Sequence, residues 1–481
     1  MNKYLEKIAE NLKPHQERAL KKLDKEHGVI LDHAMGTGKT LTFLKAIERD
    51  QKKNKNSKSL VIAPASLQSN VADQIKKFGL NIDMSKVEVI SYEKATNDEA
   101  RLKKNKYTLA IADESHRLRN TGTLRHTHLS EIIAGADKRL LATGTSSYNH
   151  ISDTAPLINI AAGGAKILPE GKKAFEERFV SKKNVSAPLL QRIFGAPSKE
   201  VSNLKNTKEL SEKLNKYMDS YDNSSDKEAA KHFPATTESV KEVEMSPTQV
   251  SLYKYAEGKL PWHLRVKVRA GMPLDKKDSA QLNAFSSVIR QVSNSTKEFL
   301  PNLKDTTPKI SASISDLQEG IKKDKNFKGL VYSNYLGSGL EDYSEELKKR
   351  GIKHGLYTGA LSKKEKDAII EDYNSGKLKV LLVSSSGAEG LNLKGTKTVH
   401  ILEPHFNKSK VDQVVARAAR YDSHKDLPKE ERHVNVIHYH SVLPKNFLGK
   451  RPTSIDTYLH DNSQHKDSLT QQMKELTKNV P

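Results

Sequence analysis

The sequence predicts an α/β protein made of two parallel-sheet domains of similar plan, with helical, charged insertions between them and a short helical extension at the C-terminal end. Two sets of short apolar runs and a glycine-rich turn after the first run carry that expectation. The first set occupies 28–31, 59–63, 87–90, 108–112 and 138–142. Each run is too short for a helix and stops where a polar motif begins, as buried parallel strands do when functional groups gather at their carboxyl ends. The second set occupies 329–332, 354–357, 379–383, 399–402 and 434–437, and repeats the pattern. Between the sets the text turns helical and charged. Residues 205–231 read as either a mobile loop or an exposed helical hairpin, 259–275 as a loop around Trp262, and 282–292 as a helix with an apolar stripe. After 443 come a basic loop at 445–451 and one or two helices over 454–478. The expected division is 1–150, 151–310, 311–442 and 443–481.

Composition narrows the partners. Lys and Arg number 81 against 59 Asp and Glu, a net charge of +22, and the excess is scattered rather than held in a tail. Such a surface suits a polyanion, because every phosphate it neutralises releases counterions. The chain has no cysteine, which excludes disulfides, thiolate zinc sites and iron–sulfur clusters and agrees with a reducing compartment. The close histidine pairs, His126 with His128 and His438 with His440, read as surface or strand decoration rather than zinc ligands. The first residues form a polar amphipathic start, not a signal peptide, and no apolar run nears the roughly 18 residues of a membrane span. A soluble, cytoplasmic protein, neither secreted nor membrane-bound, is expected.

The chemistry sits in separated motifs. Met35, Gly36, Thr37, Gly38, Lys39 and Thr40 follow the first run and open a helix, so backbone N–H groups and the helix N-terminus face an anion. Lys39 is positioned for the β- and γ-phosphates of ATP and Thr40 for Mg²⁺; His33 stands at the first glycine position of the strict phosphate-loop pattern. Asp113 and Glu114 end the fourth run, Asp113 as a ligand of hydrated magnesium and Glu114 to orient or deprotonate water. His116 follows, placed to sense the γ-phosphate and pass that signal to Thr143, Gly144 and Thr145. Gln16 brings a side-chain amide that suits both hydrogen-bonding edges of adenine. Arg417 and Arg420, three apart, would share one helix face and aim two guanidiniums at one triphosphate.

This constellation resembles helicase superfamily 2 and, within it, the Snf2-like branch, from about residue 12 to 439. Residues 113–120 and 139–145 look like the family's motifs II and III, and 246–253 like the segment that opens its inter-lobe region. Residues 384–393, with Gly390, resemble motif V; 413–420, with Gln413, resemble motif VI, with Ala416 where glycine is usual. In the C-terminal part, 399–404, Asp412, Gln413, Ser423, His424, Leu427, Pro428 and Arg432 are similar to Snf2-type ATPases of large DNA viruses, poxvirus-type transcription-termination ATPases and phage relatives included.

The resemblance implies two RecA-like lobes, ATP with Mg²⁺, and a DNA-dependent ATPase that tracks along nucleic acid. It places the tracking surface at Pro64, Ser66, Ser91, Tyr92, Arg119 and Asn120 in the first lobe, and at Ser333, Asn334, Thr358, Gly359 and Ser384 in the second. These groups hold phosphates without reading bases. Trp262, among four basic residues, either stacks on an unpaired base or packs into the hinge core. Motif V lacks a basic residue that many remodellers carry, and no chromatin-reading segment accompanies the motor, which argues against a remodeller. The expectation is a translocase or helicase on duplex, forked or branched DNA in replication, recombination, repair or branch migration, working largely independently of sequence and with replication proteins. The alternative is a virus-type transcription factor ATPase acting with RNA polymerase. A pseudo-ATPase scaffold fits poorly, because Lys39, Thr40, Asp113, Glu114, Arg417 and Arg420 are all present.

Overall fold

The apolar runs pair edge to edge because Val, Ile and Leu on both faces of a strand demand cover on both sides. The first five become β1 (Gly28–His33), β2 (Ser59–Ala63), β3 (Val87–Ser91), β4 (Leu109–Asp113) and β5 (Lys138–Thr143). The computed structural model describes residues 12–34, 36–144, 150–185, 199–222, 230–272, 274, 276–300, 307–385, 391–405, 408–447 and 449–478. The chain divides into two compact units, Met1–Lys227 with Lys466–Pro481, and Glu228–His465.

In the first unit β6 (Val180–Val185) and β7 (Lys199–Leu204) form an antiparallel pair, and β8 (Met218–Tyr221) joins the main sheet. The strand order is β3-β2-β4-β5-β1-β8, and every pairing is parallel. Alternate residues feed two cores. Ile30, Ile62, Ala110 and Leu141 pack with Leu129, Ile133 and Leu157 on one face. Val29, Leu31, Val61 and Ile111 pack on the other with Leu20 of helix Pro14–Glu26 and Leu44 of helix Lys39–Lys53.

The second unit repeats the plan with β9 (Ala235–Glu244), β10 (Gly329–Ser333), β11 (His354–Tyr357), β12 (Val380–Ser384), β13 (Thr398–Ile401) and β14 (His433–Val442), in the order β11-β12-β10-β13-β14-β9, again parallel. Helices Pro247–Gly258, Trp262–Arg269 and Lys276–Asn294 build a satellite core around Val250, Tyr253, Leu260, Ile289 and Ile455. No helix among the described residues is long and apolar enough to cross a membrane.

Three segments depart from the sequence reading. Within 205–231, helix Thr207–Tyr217 anchors on Leu210 and Leu214, and β8 then enters the first sheet, so the described part is neither a loose loop nor an exposed hairpin. The stretch around Trp262 is not a loop: Leu264 and Val268, four apart, bury one side of helix Trp262–Arg269 and hold it as a helix. Trp262 itself is 71% exposed, which removes the packed reading of this side chain. The C-terminal stretch forms one helix, Ile455–Lys478.

A candidate nucleotide site at the carboxyl edge of the first sheet

Strands β4, β5 and β1 lie side by side, with Asp113 opposite Ala142 and Asp32 opposite Thr143. The turns that leave these three strands therefore share one edge, where an open parallel sheet collects ligands. The turn after β1 passes through Gly36 at φ 79° and Gly38 at φ 89°, conformations that a side chain disfavours. A Cβ at Gly38 would also stand 2.6 Å from Gln16 Nε2. Helix Lys39–Lys53 starts immediately after, so its first backbone N–H groups and positive dipole end lie at the turn. Lys39 Nζ donates to the carbonyls of His33 (2.8 Å) and Ala34 (3.1 Å), drawn back over the loop it serves.

Gln16 is buried, with both ends of its amide on main chain: Oε1 accepts from Lys13 N (2.9 Å) and Nε2 donates to Gly38 O (3.2 Å). The amide thus ties helix Pro14–Glu26 to the turn that precedes helix Lys39–Lys53. Next to it, His15 Nε2 donates to Thr37 O at 3.0 Å. Burial lowers the His15 pKa to about 4, so the ring is neutral at ordinary pH.

Glu114 has φ 53°, a left-handed conformation rare for a residue with a side chain, and its N–H donates to Asp113 Oδ1 at 3.0 Å. His116 Nδ1 stands 3.3 Å from Glu114 Oε2 and 3.4 Å from Thr143 Oγ1. The acid, the histidine and the threonine named from sequence are thus one connected group. Thr40, in the first helical turn, and Asp113 offer hard oxygen donors of the kind Mg²⁺ prefers. Among the described residues no three His, Cys, Asp or Glu side chains gather as a metal cage, so a divalent ion here would draw its remaining ligands from phosphate and water.

Other sequence-named residues are placed differently. Tyr92 is fully buried, its hydroxyl donating to Asp113 O at 2.8 Å and its ring beneath Arg117 and Arg125; it supports the Asp113 turn and cannot track nucleic acid. Ser333 is also buried and donates to Glu403, whose carboxylate takes the Asn334 N–H as well. Pro64 and Ser384 are buried, and Ser91 caps helix Tyr92–Asn97 by accepting from Lys94 N. Arg119, Asn120, Thr358 and Gly359 keep accessible surface.

In the second unit Arg417 lies on helix Lys408–Ala418 with Gln413, but Arg420 falls beyond the helix end, which corrects the shared-face reading. Arg420 Nη1 donates to Leu391 O at 3.0 Å, and burial followed by the Arg417 charge lowers its pKa to about 10, still a cation near neutrality. Gly144 follows β5 directly. Met35, Thr145 and Gly390 lie outside the described residues, as does the Ser66 side chain. Sequence reasoning missed Arg18 and Asp219, which pack behind the phosphate loop; no local pattern links positions so far apart.

The SNF2-related domain family matches residues 15–298, and the helicase conserved C-terminal domain family matches 312–422. A protein of Acanthamoeba polyphaga mimivirus named as an ATP-dependent RNA helicase is 31% identical over 470 residues, spanning 95% of this chain and 94% of its own length. A termination factor NPH-I homolog of African swine fever virus is 35% identical over 177 residues, 34% of this chain and 25% of that protein. The solved SWI2/SNF2 ATPase core of Sulfolobus solfataricus in complex with dsDNA aligns over 97% of each chain at 18% identity, with a TM-score of 0.39.

Proposed function

Because the chain belongs to the SNF2-related helicases of superfamily 2, we propose that it is an ATP-driven translocase acting on duplex, forked or branched DNA. The observation that carries the ATPase half is the joined group Glu114–His116–Thr143, set beside the loop that holds Lys39. Lys39 and the N-terminus of its helix hold the phosphates, and Glu114 takes the proton of the attacking water. His116 carries the state of Glu114 to Thr143. Thr40 and Asp113 would hold Mg²⁺, which would supply positive charge to neutralise the phosphate being transferred. Arg417 and Arg420 supply the positive charge that stabilises the transition state.

A nucleic-acid track, gripped by its phosphates, is supported by the net charge of +22. A second reading, a motor that works with RNA polymerase, is favoured by the partial similarity to a viral termination factor. Both readings meet one experiment: ATPase rate on single-stranded, duplex, forked and four-way DNA and on RNA, with and without RNA polymerase. DNA is expected to raise the rate, forked and branched forms most, and apparent DNA affinity should fall steeply from low to physiological salt. Stimulation by RNA alone, or only in the presence of polymerase, would move the assignment to the corresponding alternative. No stimulation by any nucleic acid would end the motor reading.

Discrimination between DNA forms is assigned to exposed aromatic residues. Trp262 lies at the start of its basic helix, although Lys267 and Arg269 are engaged by Asp278 and Glu257. Phe447, 94% exposed, tips a turn closed by Asn446 N to Lys450 O at 2.8 Å, with Lys445 and Lys450 beside it. An exposed ring beside cations stacks on unpaired bases at about 1–3 kcal/mol per base. Trp262→Ala is expected to lower the forked-to-duplex ratio of ATPase rates about fivefold while the fold, read by circular dichroism, is retained. An unchanged ratio removes Trp262 from the mechanism.

A further inference from the structure

Behind the phosphate loop lies a buried ion pair that motif chemistry does not call for. Asp219, on β8, is 2% exposed, and His33, the last residue of β1, is fully buried. His33 Nε2 donates to Asp219 Oδ1 at 2.7 Å. Arg18, from the helix that carries His15 and Gln16, donates from Nε to Oδ2 (2.7 Å) and from Nη2 to Oδ1 (3.0 Å). Main chain joins the same parts: Ala34 N donates to Tyr221 O at 2.9 Å, and the Tyr221 ring stacks on His15 at 3.7 Å between centroids. The His33 carbonyl in turn accepts from Lys39 Nζ.

A carboxylate in this position is costly unless fully partnered. Burial pushes the Asp219 carboxyl up, and the hydrogen bonds from His33 and Arg18 outweigh it and hold the group below its ordinary range. An apolar residue of similar size would fill β8 at less cost. The carboxylate's two partners belong to the segments that meet the nucleotide, the helix bearing Gln16 and the first residue of the phosphate loop. His33 also stands where the strict loop pattern has glycine, so a bulky side chain there must be steered away from the phosphates. Its Nδ1 is buried without a hydrogen-bond partner among the described residues, so the ring is held through Nε2.

We propose that Asp219 is a positioning residue for ATP: through His33 and Arg18 it fixes the start of the phosphate loop and the helix that carries Gln16. The proposal rests on the reading of this edge as the ATP site and is independent of which nucleic acid the motor follows.

The test compares Asp219→Asn, His33→Leu and His33→Gln in the full chain without nucleic acid. A fluorescent ATP analogue reports affinity, steady-state kinetics separate KM from kcat, and thermal unfolding gives Tm. His33→Leu should weaken nucleotide affinity and raise KM about tenfold, the loss expected for one charge-assisted hydrogen bond, and Asp219→Asn, which also weakens the Arg18 contact, by at least as much. His33→Gln keeps an amide N–H at the reach of Nε2 and should stay within about twofold of wild type. The double variant Asp219→Asn with His33→Leu should lose little more than Asp219→Asn alone, because that change already disturbs the His33 contact. A lowered Tm with unchanged affinity and KM would make Asp219 a purely structural residue and overturn the proposal. So would His33→Gln behaving like His33→Leu, a comparison that stands even if Asp219→Asn does not fold. Wild-type protein that binds no ATP would overturn the ATP reading and this proposal together, whereas wild-type binding matched by Asp219→Asn overturns the proposal alone.

Discussion

Glu114→Gln is expected to bind ATP with near wild-type affinity and to hydrolyse it about a thousandfold more slowly, within the usual yield of a positioned general base. The substitution keeps the size of the side chain and the left-handed turn at φ 53°, so the Asp113 geometry should survive. What disappears is the proton acceptor and the carboxylate that faces His116 Nδ1 at 3.3 Å. Loss of that contact should also loosen the link from His116 to Thr143, so DNA that still binds should no longer alter nucleotide affinity. Single-turnover hydrolysis with equilibrium ATP binding separates the two effects. Turnover near the wild-type rate would show that another group activates the water.

Arg417→Ala should leave ATP binding nearly intact and cut DNA-stimulated kcat by about a hundredfold or more, as removal of a transition-state cation does. Arg420→Ala should match it in kcat and also lower Tm, because this guanidinium is buried and donates to the Leu391 carbonyl. The pair separates catalysis from support: a kcat loss shared by both belongs to the reaction, and a Tm loss confined to Arg420 belongs to the fold. An unchanged kcat with a raised KM for Arg417→Ala would reduce that residue to a binding role.

Much of this architecture can be read along the chain. Runs such as 59–63 and 380–384 are strands because a stretch of Val, Ile and Leu has one economical home, the middle of a covered parallel sheet. Lys39, Asp113, Glu114, His116 and Thr143 could be named because each lies within a few residues of a strand end, where local spacing fixes position. β8 and β9 could not. Met218-Asp-Ser-Tyr221 has a charged second residue whose burial depends on Arg18 and His33, some 200 positions away. Ala235–Glu244, an exposed strand at the sheet edge, carries Thr, Lys and Glu on surfaces that need no apolar face. Tyr92 and Ser333 were legible as strand-end hydroxyls but not as buried ones, since the partners that take their hydrogen bonds, Asp113 O at the end of β4 and Glu403 just beyond β13, come from elsewhere in the chain.

The last described helix bears on how the chain folds as it is made. Residues 466–481 group with the first unit: Met473 enters its core, Gln472 Oε1 accepts from Leu204 N at 2.9 Å, and the Leu476 carbonyl accepts from Ser211 and Asn215. Domains usually fold in the order in which they leave the ribosome. Here the first unit is completed only after every residue of the second unit has been synthesised. Until then the surface that Met473 covers stays open, and a nascent chain stalled before residue 466 carries a first unit with an unfinished core.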